Sequence, residues 1–270
     1  MSPDLRDALA ASGRADRLLV ALDFDGTISP IVAVPSAARP VPGALEVMAR
    51  LASVPGTEVV LLSGRARQDL ASVSGAGEWA TLIGSHGQEV GADLTLTEDE
   101  STLLAEVRAG VSAAVAGVPG VRVEHKPAGL AIHVRGCTDT DAERALDLVR
   151  GLADEMAGTF CLEGKLVIEL STRPLDKGSA LRALIEADPA RRVLFAGDDI
   201  TDESAMAVLR PDDVAIRVGA GESLARYRVP DPQSMLEALA TLATIRAQHH
   251  PHPATDPPLR VRPSTPDGRV

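Results

Sequence analysis

The chain has 270 residues, 45% of them hydrophobic, and a formal net charge of −11. That size allows one large domain or two modest ones. The acidic balance argues against a nucleic-acid or anionic-membrane surface, and one Trp, one Tyr and three Phe leave no platform for stacking bases. No apolar run is long enough to span a bilayer. The opening "MSPDLRDALAASGRADR" is polar and charged, unlike a signal peptide, so a cytoplasmic location is expected. Cys137 and Cys161 fit no metal-ligand spacing and read as two reduced, buried thiols.

In chain order, residues 18–23 form a continuous apolar run, the pattern of a fully buried strand. It ends on Asp23-Phe24-Asp25-Gly26-Thr27. Ala44, Val47, Met48 and Leu51 recur at helical spacing, bounded by Pro42 and by Pro55-Gly56. "TEVVLLSGR" is a second strand, "ARQDLASVSG" a short helix and "ATLIGSHG" a third strand. This alternation implies right-handed βαβ units and a parallel sheet. From about Glu98 the pattern changes to a helix, a hairpin around Pro127-Ala128-Gly129, a helix over 139–157, and a second hairpin turning at Glu163-Gly164. After Pro174 the parallel pattern returns, with "RRVLFAGDD" as a buried strand and a last helix over 231–246. The Pro-rich segment that follows, with His249, His250 and His252, reads as disordered. The expected organisation is a parallel α/β core over 14–98 and 174–246, an inserted α+β module over 99–173, and a tail over 247–270.

Ligands of open parallel sheets bind at the carboxyl ends of the strands. Four strands here end on chemistry-bearing residues: Asp23 to Thr27, Ser63-Gly64-Arg65, Ser85-His86-Gly87 and Gly197-Asp198-Asp199. Two carboxylates as close as Asp23 and Asp25 repel each other and are costly to desolvate. A hard cation held by Asp23 and Asp198 would offset that cost, and Mg²⁺ suits such a sparse oxygen set. The chemistry suggested is phosphoryl transfer. Asp23 would attack phosphorus, and Asp25 would protonate the leaving oxygen and later activate water. Lys177, Thr27 and Ser63 would bind phosphoryl oxygens, with Gly26 admitting backbone N–H groups. Capping is the competing reading for Ser63, Asp199 and Thr201, and a packed turn residue for His86. His133, Arg135 and Glu169 suit a supporting role equally well, and Trp79 suits the core.

"DFDGT", a strand ending in "SGR", "DKG" and "GDDITDE" resemble the four motifs of the haloacid-dehalogenase-like (HAD) hydrolases. Over about residues 17–245 the chain is similar to the trehalose-6-phosphate phosphatase family, through "GSHGQEV", "VEHKPAGLAIHVR", "EGKLVIELSTRPLDKGSAL" and "GDDITDE". The resemblance implies a Rossmann-like parallel core with a C2-type α+β cap domain. It implies Asp23 as nucleophile, Asp25 as acid/base and Lys177 as the charge-neutralising group. It implies a Mg²⁺ site of Asp23, Asp25 through its backbone carbonyl, Asp198, Asp199 and Asp202. Glu124, Lys126, Glu163 and Lys165 would reach the sugar from the cap, while Thr27, Ser63, Gly64, Arg65 and His86 would line the substrate site from the core. The implied substrate is trehalose 6-phosphate, with a functional link to trehalose-6-phosphate synthase. Two alternatives stay open: a phosphatase or mutase for another phosphosugar, such as sucrose phosphate or a glycosyl-phosphoglycerate, and a non-catalytic Mg²⁺/phosphosugar sensor.

Overall fold

In a computed structural model, which describes residues 1–90, 95–164, 166–174 and 176–250, the apolar runs assemble as one mostly parallel sheet. Its strands are β1 (Leu18–Leu22), β2 (Thr57–Leu62), β3 (Ala80–Gly84), β4 (Glu89–Val90), β9 (Arg192–Gly197), β10 (Val214–Val218) and β11 (Tyr227–Val229), in the order β11-β10-β9-β1-β2-β3-β4. Only the β3–β4 pair is antiparallel. β1 sits between β2 and β9, with Leu22 opposite both Leu61 and Ala196. This register brings the carboxyl ends of three strands to one edge, so that Asp23, Ser63 and Asp198 emerge side by side.

Every residue of β1 is buried, and period 2 sends alternate side chains to opposite faces. Leu18, Val20 and Leu22 meet Leu5, Leu9, Met48 and Leu239 of α1 (Pro3–Gly13), α2 (Ala44–Ser53) and α8 (Pro232–His249). Leu19 and Ala21 meet Leu181, Ala205 and Met206 of α6 (Lys177–Ala187) and α7 (Ile200–Ala207). The short α3 (Arg67–Ser74) follows β2.

Between β4 and α6 the chain forms α4 (Glu98–Val115), β5 (Arg122–Lys126), β6 (Gly129–His133), α5 (Asp139–Glu155), β7 (Phe160–Gly164) and β8 (Val167–Ser171). The strands pair antiparallel in the order β5-β6-β8-β7. One face of this second sheet packs Leu130, Ile132, Ile168 and Leu170 against Val107, Val111 and Val149 of the two helices. The other face is free for the site.

Four local readings change. α1 is a full helix, capped by Ser2 through the Leu5 N–H and started by Pro3, with Leu5 and Leu9 buried at i,i+4. β4 and β11 are strands too short to show a period. α8 runs on to His249, past residue 246, while 251–270, including His252, lie outside the described residues. The cysteines are not buried: Cys137, just before α5, is half-buried, and Cys161 is exposed because β7 is the edge strand of the smaller sheet. Trp79 is partly buried against the core. Among the described residues no helix is long and apolar enough to cross a membrane.

The C-terminal part of α8 holds Arg246, which is fully buried. Its guanidinium donates to Thr57 Oγ1 at 2.7 Å and to the carbonyls of Ala15 at 2.7 Å and Pro55 at 3.2 Å, at the end of the sheet away from the strand-end carboxylates. Arg246→Met would leave these acceptors unsatisfied at about 1–3 kcal/mol each. We expect a loss of about 3 kcal/mol and a melting temperature lower by roughly 10 °C, with activity at 25 °C unchanged; calorimetry and a rate assay on the same preparation check both.

Candidate active site

The first strand end builds a buried charge cluster. Asp23 follows β1 directly and is held by its N–H to the Ala196 carbonyl at 2.9 Å. Its carboxylate is buried, accepting from Lys177 Nζ at 2.7 Å on one oxygen and from Thr27 Oγ1 at 3.1 Å on the other. Lys177 is the first residue of α6, whose N-cap is Asp176. A cation there opposes the helix dipole, so carboxylates must hold it. The same Nζ donates to Asp202 Oδ1 at 2.7 Å. Burial works against the Lys177 charge, but Asp202 and Asp23 together raise its pKa above the ordinary value.

Asp202 is fully buried, and its Oδ2 accepts the backbone N–H groups of Asp198 at 3.0 Å and Asp199 at 2.9 Å. Both of its oxygens are occupied, so it braces the Asp198 loop from behind. Asp199 is the N-cap of α7, with Oδ1 accepting the Ile200 N–H at 2.7 Å. Thr201 lines the cavity described below.

The residues fit a hard divalent cation. Oxygens of Asp23, Asp198 and Asp202 lie within 4.8 Å of one another, and Lys177 bonds two of the three carboxylates, Asp23 and Asp202. Burial, then Asp202 and Asp199, push the Asp198 carboxyl up to about 6. Burial likewise raises Asp23, with Lys177 opposing and Asp202 and Asp198 adding to the shift. The site carries more negative charge than the protein balances, on an all-oxygen donor set. Glycines make this approach possible. A Cβ on Gly26 (φ +83°) would overlap the Asp198 carboxylate, and one on Gly197 the Asp202 carboxylate.

Asp25 stands two residues on and is held differently. Arg65 Nε donates to its Oδ2 at 2.6 Å and Nη2 to its Oδ1 at 2.8 Å. Thus Arg65, expected among the substrate-binding residues, is committed to Asp25. Ser63 accepts the Arg65 N–H on its own Oγ at 3.2 Å, closing a local turn, and Gly64 gives its carbonyl to Lys126. Both nevertheless line the same cavity. His86 sits in the left-handed region (φ 54°), its ring close over Gly64 and its Nε2 3.5 Å from Glu169 Oε2. Burial lowers its pKa, with Glu169 partly opposing.

The free face of the second sheet forms the opposite wall. Period 2 places Arg122, Glu124 and Lys126 of β5 on that face, and the register sets Glu124, Ala131, Glu169 and Leu162 in one row across it. The small Ala131 leaves room between the two glutamates. Glu124 Oε2 lies 2.9 Å from His133 Nε2, which lowers the Glu124 pKa despite burial. Lys126 is buried and spans the two sheets, donating to Glu169 Oε1 at 2.6 Å and to the Gly64 carbonyl at 2.8 Å. Burial disfavours the Glu169 charge, yet His86 and Lys126 hold its pKa down at about 2. Glu163 is paired at 2.8 Å through both oxygens with Arg150 of α5. Lys165 lies outside the described residues.

Between the walls is a cavity of about 640 Å³. It is lined by Asp23, Asp25, Lys177, Asp198 and Asp199 on one side and by Glu124, Lys126, His133, Arg135, Glu163 and Glu169 on the other. Sequence reasoning passed over Arg122, Asp69 and the Ile31 to Pro35 loop, which also line it. The alternation of β5 was sufficient to find Arg122, since it lies two residues before Glu124. Nothing local marks Asp69, whose role comes from its contact with Arg65.

Known proteins resemble this chain in sequence and in fold. A phosphatase of Mycobacterium marinum named trehalose-phosphate phosphatase is 36% identical over 266 residues, covering 89% of this chain and 66% of its own length. A bifunctional trehalose-6-phosphate synthase/phosphatase of Thermoproteus tenax is 33% identical over 236 residues, covering 85% of this chain and 32% of its own. The chain thus spans under two thirds of one relative and about a third of the other. The solved C-terminal domain of C. albicans trehalose-6-phosphate phosphatase superposes with a TM-score of 0.76 at 22% identity, covering 90% of this chain and 98% of that one, and shares the fold. The sequence model of the trehalose-phosphatase family matches residues 21–233; with the strand-end carboxylates, Lys177 and the inserted sheet all inside that span, the chain belongs to the trehalose-phosphatase family.

Proposed function

We propose that the chain hydrolyses trehalose 6-phosphate to trehalose and inorganic phosphate, with Mg²⁺ as cofactor and an aspartyl phosphate on Asp23 as intermediate. One observation carries the reading: Asp23, oriented by Lys177 and Thr27, faces a cavity whose far wall is a row of polar side chains.

A carboxylate oxygen of Asp23 attacks phosphorus, and the bond to the sugar oxygen breaks with its electron pair on that oxygen. Asp25 delivers the proton that the alkoxide needs. Water then attacks the phosphoryl group, Asp25 takes the proton back, and the Asp23 carboxylate is released. Lys177 keeps Asp23 in its attacking orientation and offsets charge on the phosphoryl oxygens. The residues that would hold Mg²⁺ are Asp23 and Asp198, with the Asp25 backbone carbonyl and Asp199 beside them and Asp202 behind. When bound, the ion supplies neutralisation of the charge on phosphate and nucleophile. The facing walls enclose the substrate and exclude water. The name of the Thermoproteus relative joins a synthase to a phosphatase in one chain, which supports a link to the synthase that makes this substrate. A cytoplasmic location goes with that link.

Phosphate release from trehalose 6-phosphate, sucrose 6-phosphate, glucosyl-3-phosphoglycerate and p-nitrophenyl phosphate tests the reading. Trehalose 6-phosphate should give the highest kcat/KM, EDTA should silence the enzyme, and Mg²⁺ should restore it. A tenfold preference for another phosphosugar, or full activity in EDTA, would overturn the assignment. Sugar reading is placed on the cap wall. Glu124→Ala should therefore lose about 1.5–3 kcal/mol of transition-state binding to trehalose 6-phosphate, roughly ten- to a hundredfold in kcat/KM. The small aryl ester never reaches that wall and should lose far less. Equal losses on both would make Glu124 a structural residue.

A further inference from the structure

The resemblance places Arg65 among the substrate-binding residues, but the structure gives its guanidinium other work. Nε and Nη2 form a two-point fork on the Asp25 carboxylate, at 2.6 and 2.8 Å. Nη1 donates to Asp69 Oδ2 at 2.6 Å, one turn along α3. Nη2 donates a second time, to the Pro35 carbonyl at 2.9 Å. The guanidinium carbon stands 5.7 Å from the centre of the Phe24 ring, within cation–π range. Its side chain is only 10% exposed. A planar fork fixed at so many points is a rigid template, and Lys could not reproduce it.

We propose that Arg65 is a positioning residue that sets the rotamer of the Asp25 carboxylate for proton transfer at the leaving oxygen. The proposal rests on the phosphatase reading above and gives it a stereochemical control. The two Asp25 oxygens are not equivalent in this arrangement. Oδ2 has Nε, which has no other acceptor. Oδ1 has Nη2, which already holds the Pro35 carbonyl. When the Nη2–Oδ1 bond opens, Nη2 keeps its second N–H on the Pro35 carbonyl, whereas Nε would lose its sole acceptor. Oδ1 is the oxygen that carries the proton to the alkoxide and later takes one from water, while the Nε–Oδ2 bond keeps the carboxyl group in place. The electron pair of the broken P–O bond ends on the sugar oxygen, which receives that proton. In the second half, the proton lost by water returns to Oδ1. Asp69 and Pro35 act through Arg65 only, as anchors of the template.

The test compares leaving groups in the burst phase, with Mg²⁺ present. Trehalose 6-phosphate expels an alkoxide and needs the proton; 2,4-dinitrophenyl phosphate expels a stable phenolate and does not. For Arg65→Gln the burst with trehalose 6-phosphate should slow about a hundredfold. The dinitrophenolate burst should stay within about threefold, followed by a slowed steady state because the water step also uses Asp25. Arg65→Lys, which keeps the charge without the fork, should recover less than tenfold of the loss. Asp69→Asn, which leaves Asp25 untouched, should show the same pattern more weakly and serves if Arg65→Gln does not melt cooperatively. Equal burst losses on both substrates, with weaker inhibition by inorganic phosphate, would show instead that Arg65 binds the phosphoryl group. Unchanged bursts on both would show that the fork has no part in proton transfer. A wild type that turns over neither ester would fail the phosphatase reading itself.

Discussion

Asp23→Asn is expected to lower kcat on trehalose 6-phosphate by at least ~10⁴-fold, the scale of removing a covalent nucleophile. The amide oxygen can still accept from Lys177, so the local hydrogen bonding survives. What is lost is the proposed nucleophilic carboxylate and one charge of the acidic cluster. Stability should move in the opposite direction. Asp23 is buried close to Asp198 and Asp202, and burial with that repulsion raises its pKa. Removing one of three carboxylates relieves that repulsion, so the variant should melt no lower than wild type when metal is absent. An inactive variant with an unchanged or raised melting temperature separates function from fold. Activity within tenfold of wild type would remove Asp23 from the chemistry.

Lys177→Met is expected to damage both properties. Lys177 Nζ lies 2.7 Å from Asp23 and 2.7 Å from Asp202, and all three residues are buried. Methionine fills similar volume but leaves two buried carboxylates without their cation. Breaking one side of such a pair costs about 3–5 kcal/mol. On the proposed mechanism Asp23 also loses its orienting partner and the phosphoryl group an ammonium, which should cost roughly 10²–10³ in kcat. Urea unfolding and initial rates measure the two effects independently. Mg²⁺ should recover part of the stability, because it supplies the missing positive charge to Asp23. Wild-type stability in the variant would mean that the carboxylates are not held as charged groups by Lys177.

The parts legible in the sequence were those with a local physical signature. A buried apolar run that ends on a carboxylate, as at Asp23 and Asp198, is hard to explain by folding alone, and these two strand ends lie at the cavity together with Ser63 to Arg65 and His86. The change from continuous to alternating hydrophobicity near residue 98 marked the second sheet, because one of its faces is open to the cavity. Side-chain partners chosen by tertiary packing were not legible. Arg65 lies forty residues from Asp25, and its place in a strand-end turn suggested substrate binding instead. Glu163 and Lys126 looked equivalent in two polar turns, yet one pairs with Arg150 on the cap's own helix and the other bridges to the Gly64 carbonyl. β4 and β11 are two and three residues long, below any periodicity. α1 did carry a signal, in Ser2, Pro3, Leu5 and Leu9, but its charged surface drew attention only to the question of a leader.

The central claim is a covalent phosphoryl group on Asp23, and acid-quench peptide mass spectrometry tests it most directly. The enzyme is mixed with trehalose 6-phosphate and Mg²⁺, quenched in acid over a series of short times, and digested. Asp25→Asn is run alongside with 2,4-dinitrophenyl phosphate, whose phenolate leaves without a donated proton, so that only the water step is slowed and the intermediate accumulates. A phosphoryl mass is expected on the peptide that carries Asp23, higher in Asp25→Asn than in wild type and absent in Asp23→Asn. Continued phosphate release with no label on that peptide at any quench time, in either protein, would contradict it and assign the attack to water.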